Sequence, residues 1–171
     1  VMDTSKGVLN VDLPTGDRTV LSGGAVGAGP AFSQAVSLEA DFAADTAYTL
    51  DWLDDVLLAV DLTTGNRTVV SSNAGVGAGP TFNLPDDMAL DANNGRIIVI
   101  DRGITSLLEV SLANGDRTVL SSAALGTGVS FQSPDLVVLD LDDNRAFVYD
   151  LAVTGILVVE LSTGQRALMS K

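Results

Sequence analysis

The sequence predicts an all-β fold assembled from one repeated unit of about 50 residues. The repeated element has the pattern of a β-hairpin: an apolar segment, a turn that contains glycine, and a second segment opened by arginine. It occurs four times, at Val8–Ser22, Leu57–Ser72, Leu107–Ser122 and Ile156–Ser170. The turn glycines are spaced 49, 50 and 49 residues apart, at Gly16, Gly65, Gly115 and Gly164. A constant spacing of this length indicates a repeat architecture.

Two further markers recur with the same period. A glycine-rich stretch that ends in phenylalanine follows each of the first three hairpins, at Phe32, Phe82 and Phe131. Pairs of aspartates ten residues apart are the other marker, at Asp41 and Asp51, Asp91 and Asp101, and Asp140 and Asp150. Because the three markers share one period, we expect every unit to have the same structure.

One whole unit, taken in order, predicts four strands, A to D. Strand A is expected at Asp87–Leu90, and the turn-forming stretch Asp91–Gly95 leads into the β-branched strand B at Arg96–Ile100. A loop at Asp101–Ser106 leads to strand C at Leu107–Leu112, and a tight turn at 113–116 leads to strand D at Arg117–Ser121. A glycine-rich connection at Ser122–Pro134 then leads to the next unit. Strand B is apolar almost throughout, which is typical of a strand buried on both faces.

Four antiparallel strands per unit predict the blades of a β-propeller. A blade cannot bury its faces alone, so the core should lie between neighbouring blades. Residues 1–171 then form a partial ring of about three and a half blades, with strands C and D in 1–22 and full blades in 36–72, 86–122 and 135–170. Since a ring needs about four to eight blades, either the chain is part of a longer propeller or a second copy completes the ring as a homodimer.

Composition and charge argue against several functional classes. With 22 acidic residues against 9 basic ones, the formal net charge is −13, which argues against nucleic acids and anionic membranes as partners. The absence of Cys and His argues against disulfides, thiol catalysis, the usual zinc sites and the Ser-His-Asp triad. No apolar run reaches the ~20 residues of a membrane-spanning helix.

The repeat resembles those of NHL-type and YVTN-type β-propellers. The resemblance is carried by Pro85 to Asp91, Arg96 to Asp101 and Val60 to Ser71, with their counterparts in the other units. The pattern is most similar to bacterial proteins of the gluconolactonase, senescence marker protein and strictosidine-synthase-like superfamily of six-bladed propellers. Enzymes of that superfamily hold Ca²⁺ or another divalent metal in the central channel, which is what the resemblance implies as a cofactor.

Residues that recur in each unit are expected to be structural, because one active site needs no copy in every blade. The turn arginines should pair with aspartates or with backbone carbonyls, at Arg18, Arg67, Arg117 and Arg166. The aspartates that end strand B should bond the backbone of the connection between blades, at Asp51, Asp101 and Asp150. The phenylalanines of the glycine-rich stretches should pack between adjacent blades, at Phe32, Phe82 and Phe131.

The loops between strands B and C interrupt the repeat and therefore supply the candidate binding residues. Trp52 is the only tryptophan, and it would suit stacking on a sugar or a cation, or packing between blades. Arg102 is the only basic residue in these loops of the three full blades, and it would suit a carboxylate or remain a solvated charge. Asp54 and Asp55 would suit Ca²⁺.

Two functions from different classes fit these observations. The first is a non-catalytic scaffold or binding module of the cell envelope or extracellular space, periplasmic or secreted. Its loops would meet a protein, or a small molecule such as a carbohydrate. The alternative is a divalent-metal-dependent hydrolase or lactonase of the gluconolactonase-like type, with a metal-activated water as nucleophile. Its candidate ligands are Asp86, Asp87 and Asp135, with Ca²⁺ as the candidate cofactor.

Overall fold

A computed structural model describes residues 1–170. The chain forms fifteen strands, which are arranged in four antiparallel sheets. Each sheet is a meander, because its strands are neighbours in sequence order. We call the sheets blades 1 to 4; blade 1 has three strands and the others have four. The strands of blades 1 and 2 are β1 (Met2–Asp3), β2 (Gly7–Val11), β3 (Arg18–Ser22), β4 (Ala35–Asp41), β5 (Thr46–Asp51), β6 (Val56–Asp61) and β7 (Arg67–Ser72). Those of blades 3 and 4 are β8 (Pro85–Asp91), β9 (Arg96–Asp101), β10 (Ser106–Ser111), β11 (Arg117–Ser121), β12 (Pro134–Asp140), β13 (Arg145–Asp150), β14 (Gly155–Glu160) and β15 (Arg166–Ser170). Lys171, the last residue of the predicted partial ring, lies outside the described residues.

Strand A of blade 3 is longer than the sequence predicts, since it begins at Pro85. Pro85 pairs with Asp101 and Asp87 pairs with Ile100, so Asp86 is the extra residue of a β-bulge. Proline is tolerated at the first position of a strand because the missing N–H is not needed there. A single 3₁₀ turn, Ala92–Asn94, joins this strand to strand B.

The core lies between the blades. One cluster packs Leu50 and Leu57 of blade 2 against Ile97 and Val99 of blade 3. On the other side of the same strand, Ile98 belongs to the cluster between blades 3 and 4. Successive side chains of a strand point to opposite faces, so Ile97–Ile100 must be apolar at every position. Each such side chain, when fully buried, contributes roughly 1.5–3 kcal/mol to the stability of the fold.

Three of the turn arginines, Arg67, Arg117 and Arg166, contact backbone carbonyls and a serine, and not an aspartate; Arg18 is exposed and makes no such contact within residues 1–170. Arg117 Nε donates to the carbonyl of Pro80 at 2.5 Å, and its Nη1 donates to the Ser71 hydroxyl at 2.5 Å. The guanidinium carbon lies 4.9 Å from the centre of the Phe82 ring, and the Ser71 hydroxyl donates to the carbonyl of Gly115. We call this set the arginine cluster. It recurs with Arg67, Ser22, Pro30 and Phe32, and with Arg166, Ser121, Val129 and Phe131.

The arginine cluster joins each blade to the segment that arrives from the blade before. We call these segments the crossing segments, at 23–34, 73–84 and 122–133. Glycine is required where the second crossing segment, 73–84, lies against blade 3, because a Cβ at Gly79 would be 1.9 Å from the carbonyl oxygen of Arg117. Gly79 also has a φ of 108°, which side chains rarely permit. No helix within residues 1–170 is long and apolar enough to cross a membrane.

Candidate functional site

The loops between strands B and C are bonded to the crossing segments along one edge of the blades, which we call the loop rim. The backbone N–H of Trp52 donates to the carbonyl of Gln34 at 3.2 Å. Arg102 bonds Leu84 in the same way at 3.1 Å, and Leu151 bonds Ser133 at 2.9 Å. The loop rim is therefore an ordered surface with one such bond at each junction between blades.

At the junction of blades 1 and 2 and at that of blades 3 and 4, the aspartate that ends strand B accepts hydrogen bonds both from the loop between strands B and C and from the crossing segment. Asp150 accepts the N–H groups of Gln132 and Ser133 at 2.7 and 3.1 Å in the crossing segment. It also accepts those of Ala152 and Val153 at 3.0 Å in its own loop. Asp51 makes the corresponding bonds. Bonds to an ionised acceptor are roughly twice as strong as neutral ones, so these carboxylates fix the rim.

The junction between blades 2 and 3 departs from that arrangement. Asp101 accepts the N–H groups of Asn83 and Ile104 at 2.7 and 3.2 Å. The N–H of Leu84 instead lies 3.4 Å from Asp55 Oδ1. Leu84 has a φ of 62°, in the left-handed region that leucine rarely adopts, and this turn of the backbone redirects its N–H. Burial, together with the nearby charge of Asp55, raises the pKa of Asp101 to about 6.

Asp55 belongs to the same irregular junction. Burial raises the pKa of its carboxyl group. Its Oδ2 lies 3.4 Å from the amide nitrogen of Asn73. The Asn73 side chain also donates to the carbonyl of Phe82 and accepts the Phe82 N–H, both at 2.8 Å. The counterparts of Asn73 at the other junctions are Gly24 and Ala123, which have no polar side chain to do this.

Arg102 is engaged in an ion pair within its own blade. Its Nε lies 2.8 Å from Asp86 Oδ2, and its Nη2 donates to Oδ1 at 3.1 Å. The Nη2 contact is a hydrogen bond, whereas the Nε contact is an ionic contact without hydrogen-bond geometry. Burial raises the pKa of Asp86 although Arg102 opposes the shift. The predicted carboxylate-binding arginine thus already has a carboxylate partner, while its side chain stays partly exposed.

The blade 2 loop contributes the apolar part of the rim. Trp52 is half-buried, and Leu53 beside it is exposed. Asp54 is exposed, and its Oδ2 accepts the hydroxyl of Ser33 at 2.5 Å. The four predicted binding residues therefore lie on adjacent loops, with Trp52, Asp54 and Asp55 on blade 2 and Arg102 on blade 3. Leu84 lies between them and bonds Asp55 through its N–H and Arg102 through its carbonyl.

The three predicted metal ligands are not assembled as a ligand set. Asp87 accepts the Ser37 hydroxyl at 2.8 Å and the Val137 N–H at 2.9 Å, so it ties β8 to β4 and β12. Asp86 pairs with Arg102 as described above, and Asp135 is half-buried nearby. Within residues 1–170, no group of three or more Asp, Glu, His or Cys side chains is placed to hold a metal ion.

The sequence reasoning missed Asn73, Asn83 and Leu84, which shape the irregular junction. One signal was available for Asn73, because small residues take its place in the other units. At the junction of blades 1 and 2, where Gly24 is that small residue, a cavity of about 280 Å³ remains open. Its lining includes Lys6, Phe32 and Arg67.

The comparisons with known proteins establish the fold alone. No protein-family profile matches the chain, and no curated protein is similar to it in sequence. A chain in the crystal structure of a nidogen/laminin complex is similar with a TM-score of 0.69 and 17% identity, over 91% of this chain and 52% of that chain. A structural genomics protein of unknown function from Bacteroides thetaiotaomicron has a TM-score of 0.60 and 12% identity, over 79% of this chain and 35% of that chain.

The chain therefore spans about half the length of the first similar structure and about a third of the second. The predicted fold is confirmed: this is a partial β-propeller of about four antiparallel blades. The narrower relationship to the gluconolactonase-like superfamily stays a prediction. Function has to be argued from the site, because one fold hosts many activities.

Proposed function

We propose that this protein is a non-catalytic binding module that meets a protein partner through the loop rim at the junction of blades 2 and 3. One observation carries the proposal: three departures from the repeat, Asn73, Leu84 and Arg102, meet at this junction, and a fourth, Trp52, lies on the adjacent blade 2 loop, where it bonds Gln34. The repeated arginines, serines and phenylalanines are engaged in holding blades together. Trp52, Asn73, Leu84 and Arg102, by contrast, each occur in one unit only.

The chemistry of the rim suits a protein surface. Exposed Leu53 and half-buried Trp52 form an apolar centre. Asp54 lies beside them, and the Arg102–Asp86 pair lies on the adjacent loop. Protein interfaces combine a centre of this kind with a polar surrounding, and tryptophan and arginine are frequent among their strongest contacts. The net charge of −13 favours a partner with a basic patch, because complementary charge accelerates association.

The similar fold in the nidogen/laminin complex supports a protein partner over a carbohydrate or another small molecule. The repeat pattern supports a relationship to NHL-type and YVTN-type propellers, and with it a location in the cell envelope or outside the cell. No feature of residues 1–170 favours the metal-dependent hydrolase, and we do not propose that activity.

The test is capture of a partner from envelope and extracellular fractions of the source organism by immobilised protein. We expect the wild type to retain a specific protein and the variants Trp52→Ala and Arg102→Glu to lose it. The matched control is Phe42→Ala, an exposed aromatic residue at the opposite end of β5 from the rim. Retention should weaken as salt is raised, because charge steers the encounter.

Two results would overturn the proposal. One is retention that the rim variants leave unchanged. The other is loss of retention in Phe42→Ala to the same extent as in the rim variants. Thermal unfolding with added Ca²⁺ tests the alternative separately, because a metal that binds the native state must raise the melting temperature.

A further inference from the structure

The peptide between Asn83 and Leu84 is turned relative to its counterparts at the other two junctions. Gln34 and Ser133, the counterparts of Leu84, donate their N–H groups to the aspartate that ends strand B, at 2.8 and 3.1 Å. The N–H of Leu84 instead lies 3.4 Å from Asp55 Oδ1. Leu84 has a φ of 62°, whereas Gln34 and Ser133 have no positive φ. We call the arrangement at Leu84 the turned orientation and that of its counterparts the regular orientation.

The bonds on either side of this peptide are the regular ones. The N–H of Asn83 donates to Asp101 at 2.7 Å, and the N–H of Arg102 donates to the carbonyl of Leu84 at 3.1 Å. Both bonds recur at the other two junctions. Because a peptide is planar, the Asn83 carbonyl and the Leu84 N–H turn together. Rotation of this one peptide plane would therefore return the Leu84 N–H to Asp101.

Gly103 makes room for the turned orientation. A Cβ at Gly103 would lie 2.0 Å from the carbonyl oxygen of Asn83. The counterparts of Gly103 in the other two loops are Leu53 and Ala152, which have a Cβ. Gly103 has no positive φ, so the glycine is needed here for space and not for its backbone conformation. The turned orientation is therefore open to the blade 3 loop and closed to the loops of blades 2 and 4.

Asp55 supplies a second acceptor for the Leu84 N–H. It is the residue immediately before strand C of blade 2, and its counterparts in blades 1 and 3 are Lys6 and Thr105. Neither of these has a carboxylate, so the competition exists at this junction alone among the three. One peptide rotation carries the Leu84 N–H from Asp55 to Asp101, and both acceptors are carboxylates.

Few ionisable groups of residues 1–170 surround Asp101. They are two carboxylates of the blade 2 loop and one ion pair of blade 3, namely Asp54, Asp55 and Arg102–Asp86. The crossing segment 73–84 contains no ionisable residue. Asp101 is fully buried and Asp55 is half-buried, so Asp55 ionises at the lower pH. As the pH rises, the charge on Asp101 is therefore the last to appear beside this peptide.

We infer that the peptide between Asn83 and Leu84 is a two-state switch, turned towards Asp55 when Asp101 is protonated and towards Asp101 when Asp101 is ionised. An ionised carboxylate is the stronger acceptor for an N–H group. In the regular orientation Asp101 gains such a donor, which lowers its pKa. Each unit of that lowering changes the ratio of the two orientations tenfold between full protonation and full ionisation. Falling pH thus favours the turned orientation, and rising pH favours the regular one.

The switch changes the polar groups of the loop rim. In the turned orientation the Asn83 carbonyl lies against Gly103, and in the regular orientation the Leu84 N–H faces Asp101 and this carbonyl leaves Gly103. Binding of a partner at this part of the rim would then depend on pH. That consequence rests on the proposed function, whereas the switch itself is measured on the chain alone, so the two can fail separately.

The test follows Leu84 by NMR on the isotopically labelled chain from pH 5 to pH 8. The NOE between the amide proton and the Hα of one residue is strong only at positive φ, so it reports the turned orientation. We expect a strong NOE at pH 5 that weakens towards pH 8 with a midpoint near pH 6, the ratio of orientations changing on the order of tenfold. Gln34 and Ser133 are the internal controls and should give a weak NOE at every pH.

Two variants separate the parts of the switch. Gly103→Ala places a Cβ where the Asn83 carbonyl lies in the turned orientation, so the NOE at Leu84 should be weak at every pH. Asp101→Asn removes the group that titrates, so the NOE should be strong at every pH. Gly103 is exposed, and the dispersion of the amide spectrum checks that each variant is folded.

A wild-type NOE at Leu84 that is the same at pH 5 and pH 8 would overturn the inference, even where the amide proton shift titrates. A strong NOE in Gly103→Ala would do the same, because the turned orientation would then not depend on the missing Cβ. A pH-dependent NOE in Asp101→Asn would assign the switch to another group and so would also overturn it.

Discussion

The junction between blades 2 and 3 and the junction between blades 3 and 4 share one framework but differ at the loop rim. Both have the arginine cluster, with Arg117 in one and Arg166 in the other. At the rim, Asp150 accepts four backbone N–H groups, whereas the N–H of Leu84 turns away from Asp101 towards Asp55. The repeat therefore fixes how blades pack, while a change in the backbone of one residue alters the rim without disturbing that packing.

Substitution of the cluster arginines should destabilise the chain most and tests the framework that the two junctions share. Arg117→Ala removes the bonds to Pro80 and Ser71 and the contact with Phe82, and it leaves a buried hydroxyl and carbonyls without their donor. We expect the free energy of unfolding to fall by roughly 3 kcal/mol, and Arg166→Ala should give the same loss. Urea unfolding at one fixed protein concentration measures both. Losses that differ by more than about 1.4 kcal/mol, a tenfold change in the unfolding equilibrium, would show that the frameworks are not equivalent.

The next effect tests the difference at the rim. Asp150→Asn replaces a carboxylate that accepts four N–H groups, and we expect a loss of about 2 kcal/mol at neutral pH. Asp101→Asn should cost clearly less, because burial already disfavours the charged form of Asp101. Urea unfolding of the two variants at pH 7 gives the comparison. Equal losses would remove the distinction between the two junctions.

The pH dependence of stability gives a second test of the difference between Asp101 and Asp150. The pKa of Asp101 is about 6 in the folded chain, against about 3.9 for an aspartate in an unfolded chain. Between these values the folded state binds more protons, so this group makes stability rise as the pH falls. From pH 7 to pH 5 the stability of the wild type relative to Asp101→Asn should increase by about 1 kcal/mol. A difference that stays constant with pH would contradict the raised pKa.

The smallest effect concerns Leu84 itself. Asparagine tolerates the left-handed region better than leucine does, so Leu84→Asn relieves backbone strain while it gives up some apolar contact. We expect the two changes to offset, with a net change within about 0.5 kcal/mol of zero. Ser133→Asn is the matched control, because Ser133 occupies the equivalent position without a positive φ. A loss above about 1.5 kcal/mol for Leu84→Asn, the scale of fully burying a large apolar side chain, would show that the leucine side chain holds the junction.

Much of the fold could be predicted from the sequence because it depends on period and alternation. The spacing of Gly16, Gly65, Gly115 and Gly164 predicts the repeat, and the continuous apolar run at Ile97–Ile100 predicts a strand buried on both faces. Less of the site could be predicted. Arg102 was recognised as an exception to the repeat, but its partner Asp86 lies 16 residues away in the chain and only the folded blade brings them together. The serine partners of the turn arginines were missed because they lie about 45 residues away in the chain.

The repeating unit, its four strands and the core between blades follow from local patterns of apolar residues, glycine and aspartate, so the sequence is enough to predict them. The groups that meet across a junction are known only from the folded chain: Asp87 with Ser37 and Val137, Asp55 with Leu84, and Arg117 with Ser71. The physical reason is that hydrogen bonds and ion pairs act over about 3 Å, whereas a sequence pattern records neither the distance nor the direction between residues that are far apart in the chain.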